Sequence, residues 1–66
     1  MTINVNNIPE EIKENSSLKE YLNTKNISVN GVAIAINDMV IRKQEWSVTL
    51  LQKDDTITII QATQGG

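Results

Sequence analysis

The sequence contains no cysteine and no histidine. Disulfide stapling, thiol catalysis and histidine-based acid–base chemistry are excluded, and with them the usual zinc ligands. Serine, threonine and lysine remain, but the pattern places no base beside any of them. Aromatics are nearly absent, Tyr21 and Trp46 standing alone, and the net charge is −2 with no basic cluster. Both features argue against nucleic-acid binding. The longest apolar run, Val32 to Ile36, falls far short of the ~20 residues that a membrane-crossing helix needs. Met1-Thr2-Ile3-Asn4 has neither the basic nor the apolar region of a secretion signal. The expectation is a soluble, cytoplasmic chain.

What the sequence does hold is aliphatic: ten isoleucines, five valines and four leucines among 66 residues. A domain of this size buries only about 60% of the surface its unfolded chain exposes. One compact core must carry the fold, and a substrate pocket would consume most of it. The chain therefore reads as one domain and as a binding or carrier protein, not an enzyme.

Thr2-Ile3-Asn4-Val5-Asn6 alternates polar and apolar residues, the period of a half-buried strand with Ile3 and Val5 inward. Asn6-Asn7 is a turn signal, because asparagine tolerates positive φ. Pro9 to Lys13 returns as a second strand with Ile12 inward, and Pro9 belongs at its start or on an edge. Ser17 and Glu20 have capping-box spacing, and Leu18, Tyr21 and Leu22 form one helical stripe that ends near Lys25-Asn26. After the Asn30-Gly31 turn, Val32, Ile34 and Ile36 share one strand face and Ala33 and Ala35 the other. Asn37-Asp38 is a hairpin turn into Met39-Val40-Ile41. Lys43 to Gln52 is irregular with a short helical turn, anchored by Trp46 and one or both of Leu50 and Leu51. Asp54-Asp55 is a further turn, and Thr56 to Gln61 is the last strand with Ile57 and Ile59 inward. The order strand, strand, helix, strand, strand, strand suggests an α+β domain, a mixed sheet with one main helix on one face, the β-grasp arrangement; the order alone also allows other α+β packings. Residues 1–61 form this domain and 62–66 a flexible C-terminal tail.

The tail, Ala62-Thr63-Gln64-Gly65-Gly66, holds no large apolar and no charged side chain. Five extended residues reach about 17 Å, enough to enter a partner's active site while the body stays outside. Glycine at the last two positions lets the backbone pass a narrow channel and leaves the terminal carboxylate unhindered. An ATP-dependent partner can convert that carboxylate to an acyl-adenylate, which a sulfur or nitrogen nucleophile then opens. A chain without cysteine has no persulfide of its own, so a thiocarboxylate is the obvious way for it to carry sulfur.

The whole chain resembles the ThiS family, the ubiquitin-like sulfur carriers of thiamine biosynthesis. The resemblance rests on Ile3-Asn4-Val5-Asn6, the capped helix around Leu18 to Leu22, and Val32-Ala33-Ile34-Ala35-Ile36-Asn37. It continues through Trp46, Thr49, Leu51 and Asp55-Thr56-Ile57-Thr58-Ile59-Ile60 to Gly65-Gly66. It implies that a ThiF-type enzyme adenylates Gly66 with ATP and magnesium. A sulfur relay fed by a cysteine desulfurase then forms the thiocarboxylate, and the thiazole synthase ThiG takes the sulfur. Gly65 would be the close-approach residue, and the carrier itself would bind no cofactor and no metal. The family often has glycine where this chain has Asn7, Asn15 and Asp54, all types that tolerate left-handed turns. Its frequent Pro-Arg pair before the Trp segment stands here as Arg42-Lys43, so no contact of that arginine is carried over.

If Ile57 and Ile59 face inward, Ile60 lies on the open sheet face near Ala33 and Ala35, either partly covered by Met39, Ile41 or a loop or free as a docking patch. Ile60, with Ala62, Thr63 and Gln64 of the tail, is the expected partner-binding segment. Trp46 reads as a core anchor, and Asp54-Asp55 and Glu10-Glu11 as solvated acids. Arg42, Lys43 and Lys53 give a weak signal for steering an acidic partner. Two further functions fit the same tail: a MoaD-like carrier for molybdopterin synthase, and a ubiquitin-like modifier joined to lysine.

Overall fold

The alternation at the start of the chain forms β1 (Thr2–Val5), which turns back through Asn6 and Asn7 into β2 (Ile8–Glu11). Both turn residues are left-handed, at φ 51° and 70°. That geometry is a two-residue type I′ hairpin, whose twist matches the strands it joins. The computed structural model describes residues 1–28 and 30–61. The remaining elements are α1 (Leu18–Thr24), β3 (Val32–Ile36), β4 (Met39–Ile41), a 3-10 turn at Lys43–Glu45 and β5 (Thr56–Gln61). The β3–β4 hairpin repeats the device, with Asn37 at φ 51° and Asp38 at φ 69°.

The strands form one sheet in the order β2-β1-β5-β3-β4. β5 is the middle strand, parallel to β1 and antiparallel to β3. The sheet is therefore mixed, and β2, which carries Pro9, is an edge strand where the missing N–H costs no ladder bond. This is the predicted β-grasp.

The helix is set by local chemistry. The Ser17 hydroxyl accepts the Glu20 N–H at 3.1 Å, and the Glu20 carboxylate accepts the Ser17 N–H at 2.9 Å. Two of the unpaired donors at the helix start are thus satisfied. The buried stripe of Leu18, Tyr21 and Leu22 packs with Ile3, Val5, Ile34, Trp46, Leu51 and Ile57 into one core. Ile3, Leu18, Leu22, Ile34, Leu51 and Ile57 are the large side chains buried most completely. Each contributes about 1.5–3 kcal/mol relative to exposure. A 66-residue domain has a net stability of only about 3–10 kcal/mol, so truncating any one of them removes a large part of it.

The 3-10 turn runs on through turn residues 46–48, and the chain then extends past the helix start, Leu50 bridging to Ser17. Leu18 N–H donates to the Thr49 carbonyl and Leu51 N–H to the Ser16 carbonyl, both at 2.8 Å. Adjacent residues of an extended segment point to opposite sides. Of the two leucines, Leu51 is buried and Leu50 half-exposed. The Trp46 indole N–H donates to the Ile41 carbonyl at 3.0 Å, which satisfies its one polar atom in the core.

Candidate functional site

The end of β5 is where the predicted tail leaves the domain. Ile57 is fully buried and Ile59 half-buried on the helix side, while Thr56 and Ile60 are exposed on the other. Directly opposed residues of paired strands share a face. Ala33 pairs with Ile60, and Ala35 with both Thr58 and Val40. These residues lie on the open face, joined on the β1 side by Asn4, the partner of Thr56. Ile60 is 58% exposed and Val40 73% exposed. Met39 and Ile41 do not cover Ile60: they pair with Ile36 and Ile34, on the helix side of the sheet. Across β1, β5, β3 and β4 this face carries no charged side chain among the described residues. At the β2 edge Glu11 pairs with Thr2.

Val40 was not singled out by sequence reasoning. Its strand is only three residues long, so its facing is set by the cross-strand register and not by its own periodicity. The predicted site residues Ala62, Thr63, Gln64, Gly65 and Gly66 lie outside the described residues. Of the predicted partner-binding positions, Ile60 is placed, and it is placed on the open face as expected.

Two acid pairs differ from the sequence expectation of solvated carboxylates. Asp54 is exposed and left-handed at φ 68°, but Asp55 is 8% exposed. Its carboxylate accepts the Gln52 N–H at 2.8 Å and the Asn37 side-chain amide at 3.0 Å. It braces the turn into β5 and is no catalytic partner of Asp54. Glu11 is exposed, whereas Glu10 pairs across the sheet with Ile3 and so faces the helix. There the Tyr21 hydroxyl donates to Glu10 at 2.8 Å, and the Lys25 ammonium forms an ion pair with it. The hydrogen bond from Lys25 is the main cause that holds Glu10 below its ordinary value; Tyr21 adds to it, and burial opposes it. Burial, followed by the Glu10 contact, pushes the Tyr21 hydroxyl well above its usual value. Tyr21 and Glu10 thereby fasten the helix to β2. Grooves of about 820 Å³ and 570 Å³ lie on either side of this contact.

Among the described residues no group of acidic side chains is arranged to hold a metal ion. No helix among them is long and apolar enough to cross a membrane. What the site offers is an uncharged sheet face leading to the end of the central strand.

These features define a small β-grasp protein. Two solved structures share its fold. One is the crystal structure of a thiamine biosynthesis protein (ThiS) from Geobacter metallireducens, with a TM-score of 0.86, 20% identity and full coverage of both chains. The other is the NMR solution structure of a thiamine biosynthesis protein from the same organism. Its TM-score is 0.80 at 20% identity, covering all of this chain and 88% of that one. No curated protein sequence matches this chain. The sequence model of the ThiS family matches residues 3–66. The chain belongs to the ThiS family and is a non-catalytic sulfur carrier of thiamine biosynthesis. Members of the family carry no cofactor of their own and work with sulfur-relay partners.

Proposed function

We propose that residues 1–61 act as a globular anchor and 62–66 as the tail that is charged and discharged, in the cytoplasm, at the Gly66 carboxylate. In the first step that carboxylate attacks the α-phosphorus of ATP in a ThiF-type enzyme, with magnesium, and pyrophosphate leaves. The acyl-adenylate is a mixed anhydride, so its acyl carbon is open to attack. Hydrosulfide, or a persulfide sulfur delivered from a cysteine desulfurase, adds there and AMP departs. With hydrosulfide the product is the thiocarboxylate directly; with a persulfide it is an acyl disulfide, whose S–S bond a second thiol of the relay opens, leaving the thiocarboxylate on Gly66 and a disulfide on the relay. The thiazole synthase ThiG then takes the sulfur. Gly65 lets the backbone approach the catalytic groups closely.

The observation that carries this reading is the position of Ile60. It is an exposed apolar side chain on the central strand, one residue before Gln61, on a face with Ala33, Ala35 and Val40 and no charge. A partner seated on that face has Ala62, Thr63 and Gln64 within its reach and the last glycines about 17 Å beyond Gln61 if extended. The family match over residues 3–66 supports the thiazole pathway over the molybdopterin one. Deletion of Gly66 tests the site of charging. Loss of thiazole formation with the fold intact is expected; a truncated chain that still supplies sulfur contradicts the proposal.

A further inference from the structure

β1 leaves the sheet at Asn6, where φ of 51° starts the turn into β2. Up to that point it pairs with β5 in a regular ladder. Asn4 N–H donates to the Asp55 carbonyl and Asn6 N–H to the Ile57 carbonyl, both at 2.9 Å. Alternate residues of β5 thus direct their backbone groups toward β1, and Ile59 is next in that row. The β1 backbone has already turned away there. The Asn6 side chain takes its place: Oδ1 accepts the Ile59 N–H at 2.9 Å, and Nδ2 lies 3.4 Å from the Ile59 carbonyl as donor. Only one orientation of the amide meets both groups.

The start of β5 has a counterpart on its opposite edge. Asn37 is likewise the first residue of a hairpin turn, at φ 51°. It donates its own N–H to the Thr56 carbonyl at 2.8 Å and accepts the Thr56 N–H on Oδ1 at 3.0 Å. Two turn asparagines therefore prolong the two ladders of the central strand by one residue each, at opposite ends. The Asn37 end lies at Thr56, the first residue of β5. The Asn6 end lies two residues before Gln61.

We infer that Asn6 is a positioning residue for the charging of Gly66, its side-chain amide holding the last part of β5 in the sheet so that the tail starts from a fixed point. This inference rests on the carrier reading above. Without the amide, β5 beyond Ile57 is held on the β3 side alone. Every residue released there must be ordered again when a partner binds, which weakens binding. The chemistry at Gly66 is unaffected once the complex has formed. The predicted signature is a higher KM for the carrier with kcat unchanged.

Two variants separate this role from simple stability. Asn6→Gly keeps the left-handed turn and removes the amide. Asn6→Asp keeps an acceptor for the Ile59 N–H. Amide hydrogen exchange is followed at Ile59 and, as a core control, at Ile34. ATP–pyrophosphate exchange by the ThiF-type enzyme gives KM and kcat. In Asn6→Gly, exchange at Ile59 is expected to rise roughly fivefold or more with Ile34 unchanged. The KM for the carrier should rise roughly threefold or more at constant kcat, and Asn6→Asp should recover most of both effects. Unchanged exchange at Ile59, an unchanged KM, or equal acceleration at Ile34 overturns the inference. A wild-type chain that supports no pyrophosphate exchange overturns the carrier reading itself. That result is distinct from a wild type and an Asn6→Gly chain that are charged equally well.

Discussion

At the scale of single residues, this chain makes its tight turns with asparagine and aspartate. Every non-glycine residue at positive φ among those described is one of the two: Asn6, Asn7, Asn15, Asn26, Asn37, Asp38 and Asp54. Their short polar side chains make the left-handed region accessible, where most L-residues lose about 1–2 kcal/mol. The three positions at which the resemblance to the ThiS family implies glycine, Asn7, Asn15 and Asp54, have φ of 70°, 65° and 68°. Asn15→Gly should therefore change stability in urea melts by no more than ~0.5 kcal/mol. Asn15→Val should lose about 1–2 kcal/mol. A valine variant as stable as the parent would show that the site does not enforce its left-handed backbone. These turns were legible because their cause lies within two or three residues. The side-chain duties of Asn6 and Asn37 toward β5 were not, since their partners are 53 and 19 residues away. The burial of Asp55 was hidden for the same reason: one of its two donors is Asn37.

At the scale of elements, the helix start was readable from Ser17 and Glu20, because a capping box is a contact within one turn. The tie between helix and edge strand was not, because it joins Glu10 to Tyr21 and Lys25 across two elements. It has a pH signature. The folded-state pKa of Glu10 lies below its ordinary 4.5, first through the Lys25 hydrogen bond. As pH falls, the unfolded chain binds a proton there before the folded one does. The contribution is thus whole above the ordinary value and is lost as pH falls through the folded one. Tyr21 acts in the opposite sense. Its folded value is raised above the ordinary 10.0, so its contribution is whole below that pH and fades as pH rises beyond it. Glu10→Gln should lower stability at neutral pH, and the gap from the parent should narrow as pH drops below about 4. Denaturant melts at several pH values check this; a gap that stays constant contradicts it.

At the scale of the whole molecule, the order of elements along the chain was legible from periodic segments and turn signals, and it suggested a mixed sheet with the helix on one face; the order of strands within the sheet, β2-β1-β5-β3-β4, was not legible from it. With one helix and five short strands, few arrangements cover the apolar faces of all of them. The register of β4 was less legible, because three residues carry too little pattern to fix a facing. Register, in turn, puts Val40 beside Ala35 and leaves Ile60 uncovered. Ile60→Asp should leave the thermal midpoint nearly unchanged, since the side chain is exposed, and should weaken binding to the ThiF-type enzyme roughly tenfold or more. Calorimetry that returns undiminished affinity rejects the docking role of this face.

The most direct test concerns the charge carried at the end of the chain. The protein is incubated with ATP, magnesium, the ThiF-type enzyme proposed to charge it and sulfide, and its intact mass is then recorded. A carrier charged at Gly66 gains the mass difference of one oxygen exchanged for sulfur, shows an AMP adduct when sulfide is withheld, and shows neither species after deletion of Gly66. An unchanged mass with and without sulfide, or the chain appearing on lysines of other proteins in place of the thiolated form, would contradict the carrier reading.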